Sequence, residues 1–153
     1  MPDEQLTQTL RLQGLVNVVV RTLLRVPGIS RGIGRYLITL HVVGRKSGRR
    51  YDVPVAYVPY EGDLLVGTPF AWARNLRTGD TVPVDYRGRR TTAAVRVHTA
   101  EAEVVSLYEV IARANRNFAN FNKISFDAAG NPSEQDLRRC YRTGARVIRL
   151  TVR

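Results

Sequence analysis

The spacing of apolar residues near the start of the chain predicts one amphipathic helix over residues 6–25. One half of this helix would carry Leu12, Leu15, Val16, Val19, Val20, Leu23 and Leu24. Arginines fall largely on the other half, and Pro27 and Gly28 then end the helical pattern. We therefore expect an N-terminal segment, residues 1–28, that is separate from the region after it.

After this segment the pattern changes to short runs rich in β-branched and aromatic residues, which are typical of strands. The predicted strands are Tyr36 to Val43, Tyr51 to Tyr60, Leu64 to Thr68, Val82 to Tyr86, Thr91 to His98, and a last strand containing Ile148, Leu150 and Val152. The predicted hairpin turns are Glu61-Gly62-Asp63 and Arg87-Gly88-Arg89. The predicted helices are Ala71 to Thr78, Glu101 to Phe118, and one that Ser133 caps and Gly144 ends.

About six mostly antiparallel strands with few crossover helices favour an α+β fold whose sheet closes to protect its edges. The chain has 153 residues and shows neither an internal repeat nor a linker, so residues 29–153 are expected to form a single barrel domain. No run reaches the length of a membrane-spanning helix.

The charge of the chain is unevenly distributed. The 24 basic and 13 acidic residues give a net charge of +11, yet no acidic residue lies between Gln5 and Tyr51. Such a region is expected to meet an anionic partner. Two interpretations of the N-terminal helix stay open: it packs on its own domain, or it lies on an anionic membrane surface.

Two further segments have the composition of a ligand site. The loop Gly44 to Arg50 combines four cations and a hydroxyl with two glycines, which suits a phosphate or carboxylate. The segment Gly67 to Gly79 carries Trp72, the only tryptophan, on one helical face with Asn75 and Leu76. A planar ligand that forms hydrogen bonds would fit there, although a solvated hairpin tip and a core tryptophan explain the same residues.

The usual catalytic motifs are absent from the sequence. His41 and His98 have no carboxylate or cysteine at motif spacing, and both are expected to be structural or exposed. A single cysteine, Cys140, excludes an internal disulfide and a multi-cysteine zinc site, and is compatible with a reducing compartment. A chain without reactive groups of its own, but with a phosphate loop and a planar pocket, fits an enzyme whose cofactor supplies the chemistry.

In this order the segments resemble the deazaflavin-dependent nitroreductase family, actinobacterial oxidoreductases that use coenzyme F-420 on a split β-barrel. The specific matches are the run GRKSGRRYDVPV from Gly44 to Val55, the strand Gly62 to Gly67, and the helix Trp72 to Leu76. The likeness extends from the N-terminal helix through Leu150. It implies an F-420-dependent reductase that passes a hydride to a small electron-poor quinone, enone or nitro compound.

The resemblance also assigns roles to residues. The family's basic loop holds the cofactor's phosphate and the start of its polyglutamate tail, a role that falls here on Arg45, Lys46, Ser47, Gly48, Arg49 and Arg50. The other cofactor contacts that it implies are Pro54, Val55, Tyr57, Thr68, Pro69, Trp72, Asn75 and Leu76. The proton donor stays open among Tyr57, Tyr108, Tyr141 and water. No metal is implied.

The chain departs from the family pattern at Ala73, where many members have tyrosine, and in the stretch Asn115 to Asn122. These departures leave the substrate open and keep flavin mononucleotide (FMN) and haem as alternative ligands. A nucleic-acid binder is the less favoured alternative, because aromatic residues do not alternate with the basic run. We expect a cytoplasmic protein, with the helix as a candidate contact to the inner face of the membrane. Homodimers are common in the family.

Overall fold

The computed structural model of the protein describes residues 36–153, which form an α+β fold of seven strands, three α-helices and one 3-10 helix. The strands are β1 (Leu37–Val43), β2 (Arg50–Ala56), β3 (Val58–Tyr60), β4 (Asp63–Thr68), β5 (Thr81–Tyr86), β6 (Arg89–His98) and β7 (Arg146–Val152). The α-helices are α1 (Glu101–Ala114), α2 (Arg116–Phe121) and α3 (Glu134–Arg142), and the 3-10 helix is Ala71–Asn75. The helix predicted at 6–25 and the boundary at 28 lie outside the described residues.

All seven strands belong to one sheet in the order β2-β1-β5-β6-β7-β4-β3, and every neighbouring pair is antiparallel. The two outermost strands, β2 and β3, are separated in sequence by Tyr57 alone. Since one residue cannot span a flat seven-stranded sheet, the sheet must curl until its edges meet at Tyr57. The result is a half-barrel, and the expected α+β barrel architecture is confirmed at this level.

The single strand predicted over Tyr51 to Tyr60 is two strands in the structure, which explains why the sheet has seven strands rather than about six. The pairing partner changes at Tyr57: Ala56 lies opposite Leu37 on β1, whereas Val58 lies opposite Leu65 on β4. A continuous β-rich sequence does not reveal such a change of partner.

Two predicted helices are shorter than expected. The first, predicted over Ala71 to Thr78, is a 3-10 helix that ends at Asn75 because Leu76 is extended. The second, predicted over Glu101 to Phe118, breaks at Asn115, whose side-chain oxygen accepts from the Phe118 N–H at 3.2 Å and starts a new helix. The predicted cap of α3 is confirmed, since Ser133 Oγ accepts from the Asp136 N–H at 3.2 Å.

Both predicted hairpin turns are confirmed. Glu61 and Gly62 have φ values of 50° and 81°, and Arg87 and Gly88 have values of 51° and 74°. Two consecutive positive φ angles define the type I′ turn, whose twist matches that of antiparallel strands. The turns therefore fix the register of β3 with β4 and of β5 with β6.

The core has two parts, one on each face of the curled sheet. Inside the curl, Leu40, Val84 and Leu150 are fully buried, and Trp72 packs against this cluster. On the other face, Leu65 and Val147 pack with Tyr108 of α1 and the other helices. Adjacent residues on β4 and β7 therefore enter different clusters, as the alternation of side chains along a strand requires.

Gly67 on β4 lies where the second cluster has no room for a side chain. A Cβ atom at this position would come within 2.9 Å of the Tyr108 and Phe118 rings. We expect Gly67→Ala to lower the free energy of unfolding by about 1–3 kcal/mol, because both rings are packed and must move. Urea denaturation of the Gly67→Ala and Gly67→Ala/Phe118→Leu variants checks this. An unchanged midpoint in the single variant would contradict it.

A part-buried ion pair joins the β3–β4 hairpin to β7. Arg149 Nε donates to Asp63 Oδ2 at 2.6 Å, and Thr151 Oγ1 donates to Asp63 Oδ1 at 2.8 Å. The hydrogen bond from Arg149 is the main reason that the pKa of Asp63 lies below its usual value. The charged carboxylate is therefore the form that the folded protein favours.

Asp63→Asn tests this pair through the pH dependence of stability. Because folding lowers the pKa of Asp63, its contribution is complete above the ordinary carboxyl pKa of about 3.9 and disappears as the pH falls through the lowered value. We expect a loss on the order of 1 kcal/mol at pH 7 that shrinks as the pH falls below about 4. Denaturation curves from pH 7 to pH 3 measure it, and a constant difference would be the contrary result.

Candidate functional site

The loop between β1 and β2, residues 44–49, is held by its own backbone. The Gly44 N–H donates to the Arg49 carbonyl at 2.7 Å, and the Gly48 N–H donates to the Gly44 carbonyl at 2.9 Å. Gly48 has a φ of 68°, a conformation that glycine adopts without strain. Ser47 Oγ accepts from the Arg49 N–H at 3.2 Å. The loop thus holds a fixed shape that leaves Lys46, Ser47 and Arg49 exposed.

Arg45, in the same loop, reaches a different part of the chain. Its backbone N–H donates to Asn75 Oδ1 at 3.0 Å, and its Nε donates to the Asn75 carbonyl at 3.1 Å. Its Nη2 lies 3.2 Å from Asp80 Oδ2. The structure therefore brings together two residues predicted to bind the cofactor, Arg45 and Asn75, and it bonds them to each other.

The segment around the 3-10 helix lies against the curled face of the sheet. Trp72 is half-buried there, Leu76 is buried, and Asn75 Nδ2 donates to the Trp72 carbonyl at 3.0 Å. Thr68 is buried as well, and its Oγ1 accepts from the Phe70 N–H at 3.1 Å.

The remaining predicted contacts lie on β2, after β4 and at the end of the basic loop. Pro54 and Val55 are half-buried on β2, Pro69 is exposed after β4, and Arg50 begins β2 as an exposed residue. The basic loop, residues 44–49, and the tryptophan segment, residues 67–79, therefore meet through the hydrogen bonds of Arg45 to Asn75.

A chain of ionisable side chains next to the loop was not predicted from the sequence. His41 is buried, and its Nδ1 lies 2.6 Å from Asp52 Oδ1. On its other side, Asp85 Oδ2 lies 3.0 Å from Nε2, within ion-pair distance but without hydrogen-bond alignment. Arg90 pairs with Asp85, and Arg50 Nε lies 3.6 Å from Asp52.

This chain of ionisable side chains crosses β2, β1, β5 and β6. The hydrogen bond to His41 is the main reason that the pKa of Asp52 is lowered, and the bond from Arg90 does the same for Asp85. His41 is buried between these carboxylates, and its structural role stays a prediction from the sequence. Its carboxylate partners, eleven residues or more away, could be found only from strand register.

The first of the three candidate proton donors, Tyr57, is buried at the closure of the sheet. Its ring packs edge-on against Tyr36 and Tyr86, with centroids 6.0 Å and 5.6 Å away. Burial is the main cause of its raised pKa. Tyr57 belongs to the first core cluster, against which Trp72 also packs.

The other two candidates, Tyr108 and Tyr141, lie with the second cluster and not with the tryptophan segment. Tyr108 is fully buried edge-on to Phe118, with ring centroids 5.0 Å apart, and burial raises its pKa. Its hydroxyl has no hydrogen-bond partner within residues 36–153. Tyr141 is half-buried beside the same cluster.

Two kinds of site are absent from residues 36–153. That region contains no group of three or more His, Cys, Asp or Glu side chains placed to bind a metal ion. Among the same residues, no helix has the length and apolar character needed to cross a membrane.

No protein-family model matches the chain, and no curated protein matches it in sequence. Solved structures match it in fold. Rv2991, a conserved hypothetical protein of Mycobacterium tuberculosis, superposes with a TM-score of 0.54 at 10% identity, over 86% of this chain and 82% of that one. This similarity shows a shared fold.

Two weaker similarities carry no further argument. A candidate 5-nitroimidazole antibiotic resistance protein of Bacteroides thetaiotaomicron gives a TM-score of 0.47 at 13% identity, over 80% of this chain and 76% of that one. HupZ of Group A Streptococcus gives 0.43 at 14% identity, over 84% of this chain and 94% of that one.

Ionisation of the seven tyrosines tests the placement of Tyr108. Because burial raises its pKa, we expect native wild type and Tyr108→Phe to give the same tyrosinate absorbance at about pH 11, above the ordinary tyrosine pKa. In denaturant the variant should give a signal smaller by one tyrosine. If the native variant already lost that signal at the same pH, Tyr108 would not be buried.

Proposed function

We propose that the protein is an oxidoreductase that binds coenzyme F-420 and transfers a hydride from the reduced deazaflavin to a small electron-poor organic substrate. A quinone, an enone or a nitro compound has the required chemistry. The observation that supports this most is the fixed cationic loop bonded to the only tryptophan-bearing segment. The fold shared with Rv2991 is compatible with it.

The anionic part of the cofactor would be held by Lys46, Ser47 and Arg49. All three are exposed, and neither cation forms an ion pair within the described part of the chain. Arg45, by contrast, is partly neutralised by Asp80. Cations whose backbone is already fixed bind phosphate and carboxylate at a lower ordering cost than mobile ones.

The ring of the cofactor would lie on the surface between β2 and the 3-10 helix. Val55 and Trp72, which are partly exposed and pack against the first core cluster, would face the ring, with Tyr57 buried in the same cluster. When bound, the cofactor supplies the hydride, and the role of these residues is to orient it and exclude water. The proton would come from Tyr57 or from water, since Tyr108 and Tyr141 lie with the second cluster and Tyr57 lies in the cluster against which Trp72 packs.

Membrane contact through the N-terminal helix and homodimer formation remain predictions from the sequence.

Lys46→Ala/Arg49→Ala tests the loop directly. A hydrogen bond to a charged group contributes about 1.5–3 kcal/mol, so losing two should raise the Kd for F-420 about 10²-fold or more. The Kd should also depend less steeply on salt than that of wild type. Fluorescence titration with F-420 at two salt concentrations measures both effects.

Arg142→Ala/Arg153→Ala is the matched control, because it removes the same charge from exposed residues outside the loop. It should bind F-420 nearly as wild type does. Equal losses in both double variants would mean that net charge, and not the loop, attracts the cofactor.

A further inference from the structure

Arg45 connects the basic loop to two residues that follow Trp72 in the sequence, Asn75 and Asp80. It uses its backbone N–H and its Nε on Asn75 and its Nη2 on Asp80, at 3.0, 3.1 and 3.2 Å. We call Arg45, Asn75 and Asp80 the Arg45 latch. The planar guanidinium suits this task because its donors point in fixed directions.

Each partner of Arg45 is itself anchored. Asn75 Nδ2 donates to the Trp72 carbonyl at 3.0 Å. Asp80 Oδ2 also accepts from the Arg77 N–H at 2.8 Å, and the Asp80 carbonyl accepts from the Val95 N–H on β6 at 2.9 Å. The Arg45 latch therefore ties the loop to Trp72 and to the sheet.

We propose that the Arg45 latch positions the cofactor site without touching the cofactor, which revises the roles expected of Arg45 and Asn75. This inference rests on the proposed function. The latch would hold the phosphate-binding groups of Lys46, Ser47 and Arg49 at a fixed distance from Trp72. A ligand that has an anionic end and a planar end then meets both surfaces already in place.

The proposal predicts whether Asp80→Asn strengthens or weakens F-420 binding. As a mere neighbouring carboxylate it would repel an anionic cofactor, so Asp80→Asn would strengthen binding. As part of the latch it fixes Arg45, so Asp80→Asn should weaken F-420 binding by about two- to fivefold, because a partly exposed ion pair is replaced by a weaker hydrogen bond to a neutral amide. Titration with F-420 measures the change. Glu134→Gln on α3 is the control, since it alters the net charge equally at an exposed site.

Arg45→Lys separates charge from geometry. Lysine keeps the positive charge, but its single ammonium group cannot replace a guanidinium that bonds to Asn75 and Asp80 at once. If Arg45 acted on the cofactor as a simple charge, Arg45→Lys would bind F-420 as wild type does. The latch predicts a weakening similar to that of Asp80→Asn, and the double variant should lose little more than either single variant.

Trp72 gives a second readout that needs no cofactor, because it is the only tryptophan. Loss of the latch should make Trp72 fluorescence in the free protein more accessible to quenching by acrylamide. Asp80→Asn and Arg45→Lys should both show this, and Glu134→Gln should not. Circular dichroism confirms that each variant is folded.

The outcomes distinguish the two proposals. Weaker binding and greater quenching in both latch variants support the latch. Greater quenching in a protein whose wild type does not bind F-420 supports the latch and removes the proposed function. Unchanged or tighter binding by Asp80→Asn overturns the latch, as does unchanged quenching in both latch variants.

Discussion

One residue, Tyr57, connects the two edges of the seven-stranded sheet, and the other features of the molecule follow from this constraint. Because β2 runs directly into β3, the sheet has to curl, and the curl encloses the first core cluster. The chain then leaves β4 and places the 3-10 helix in contact with β1. The loop at the end of β1 and the tryptophan segment therefore meet, although thirty residues separate Arg45 from Asn75.

The loop at this meeting point is held in place by hydrogen bonds that its composition alone does not predict. Four cations within six residues repel one another, yet internal hydrogen bonds fix the loop and the Arg45 latch ties it to the sheet. Preorganised donors lose less entropy when an anion binds. Below the loop, His41 lies between two carboxylates and joins the first two strands to β5. Arg45 thus holds the loop to the sheet, whereas Lys46 and Arg49 are exposed cations that suit the expected binding of an anion.

The features that could be predicted from the sequence are those set by neighbouring residues. The two hairpin turns depend on Gly62 and Gly88, and the start of α3 depends on Ser133. The sequence therefore predicts the turns and the start of this helix correctly. The change of partner at Tyr57 could not be found, because β2 and β3 form one uninterrupted β-rich run. The same holds for the residues of the candidate site: the basic loop and Trp72 were selected by composition, whereas the contact from Arg45 to Asp80 exists only after folding.

The most direct test of the account is a parallel binding titration of the purified protein with F-420, FMN and haem at fixed ionic strength. The account predicts that F-420 binds most tightly, because its phosphate and carboxylates together match the cations of the loop, and that added salt weakens this binding steeply. Tight binding of FMN or haem with no measurable binding of F-420 would contradict it.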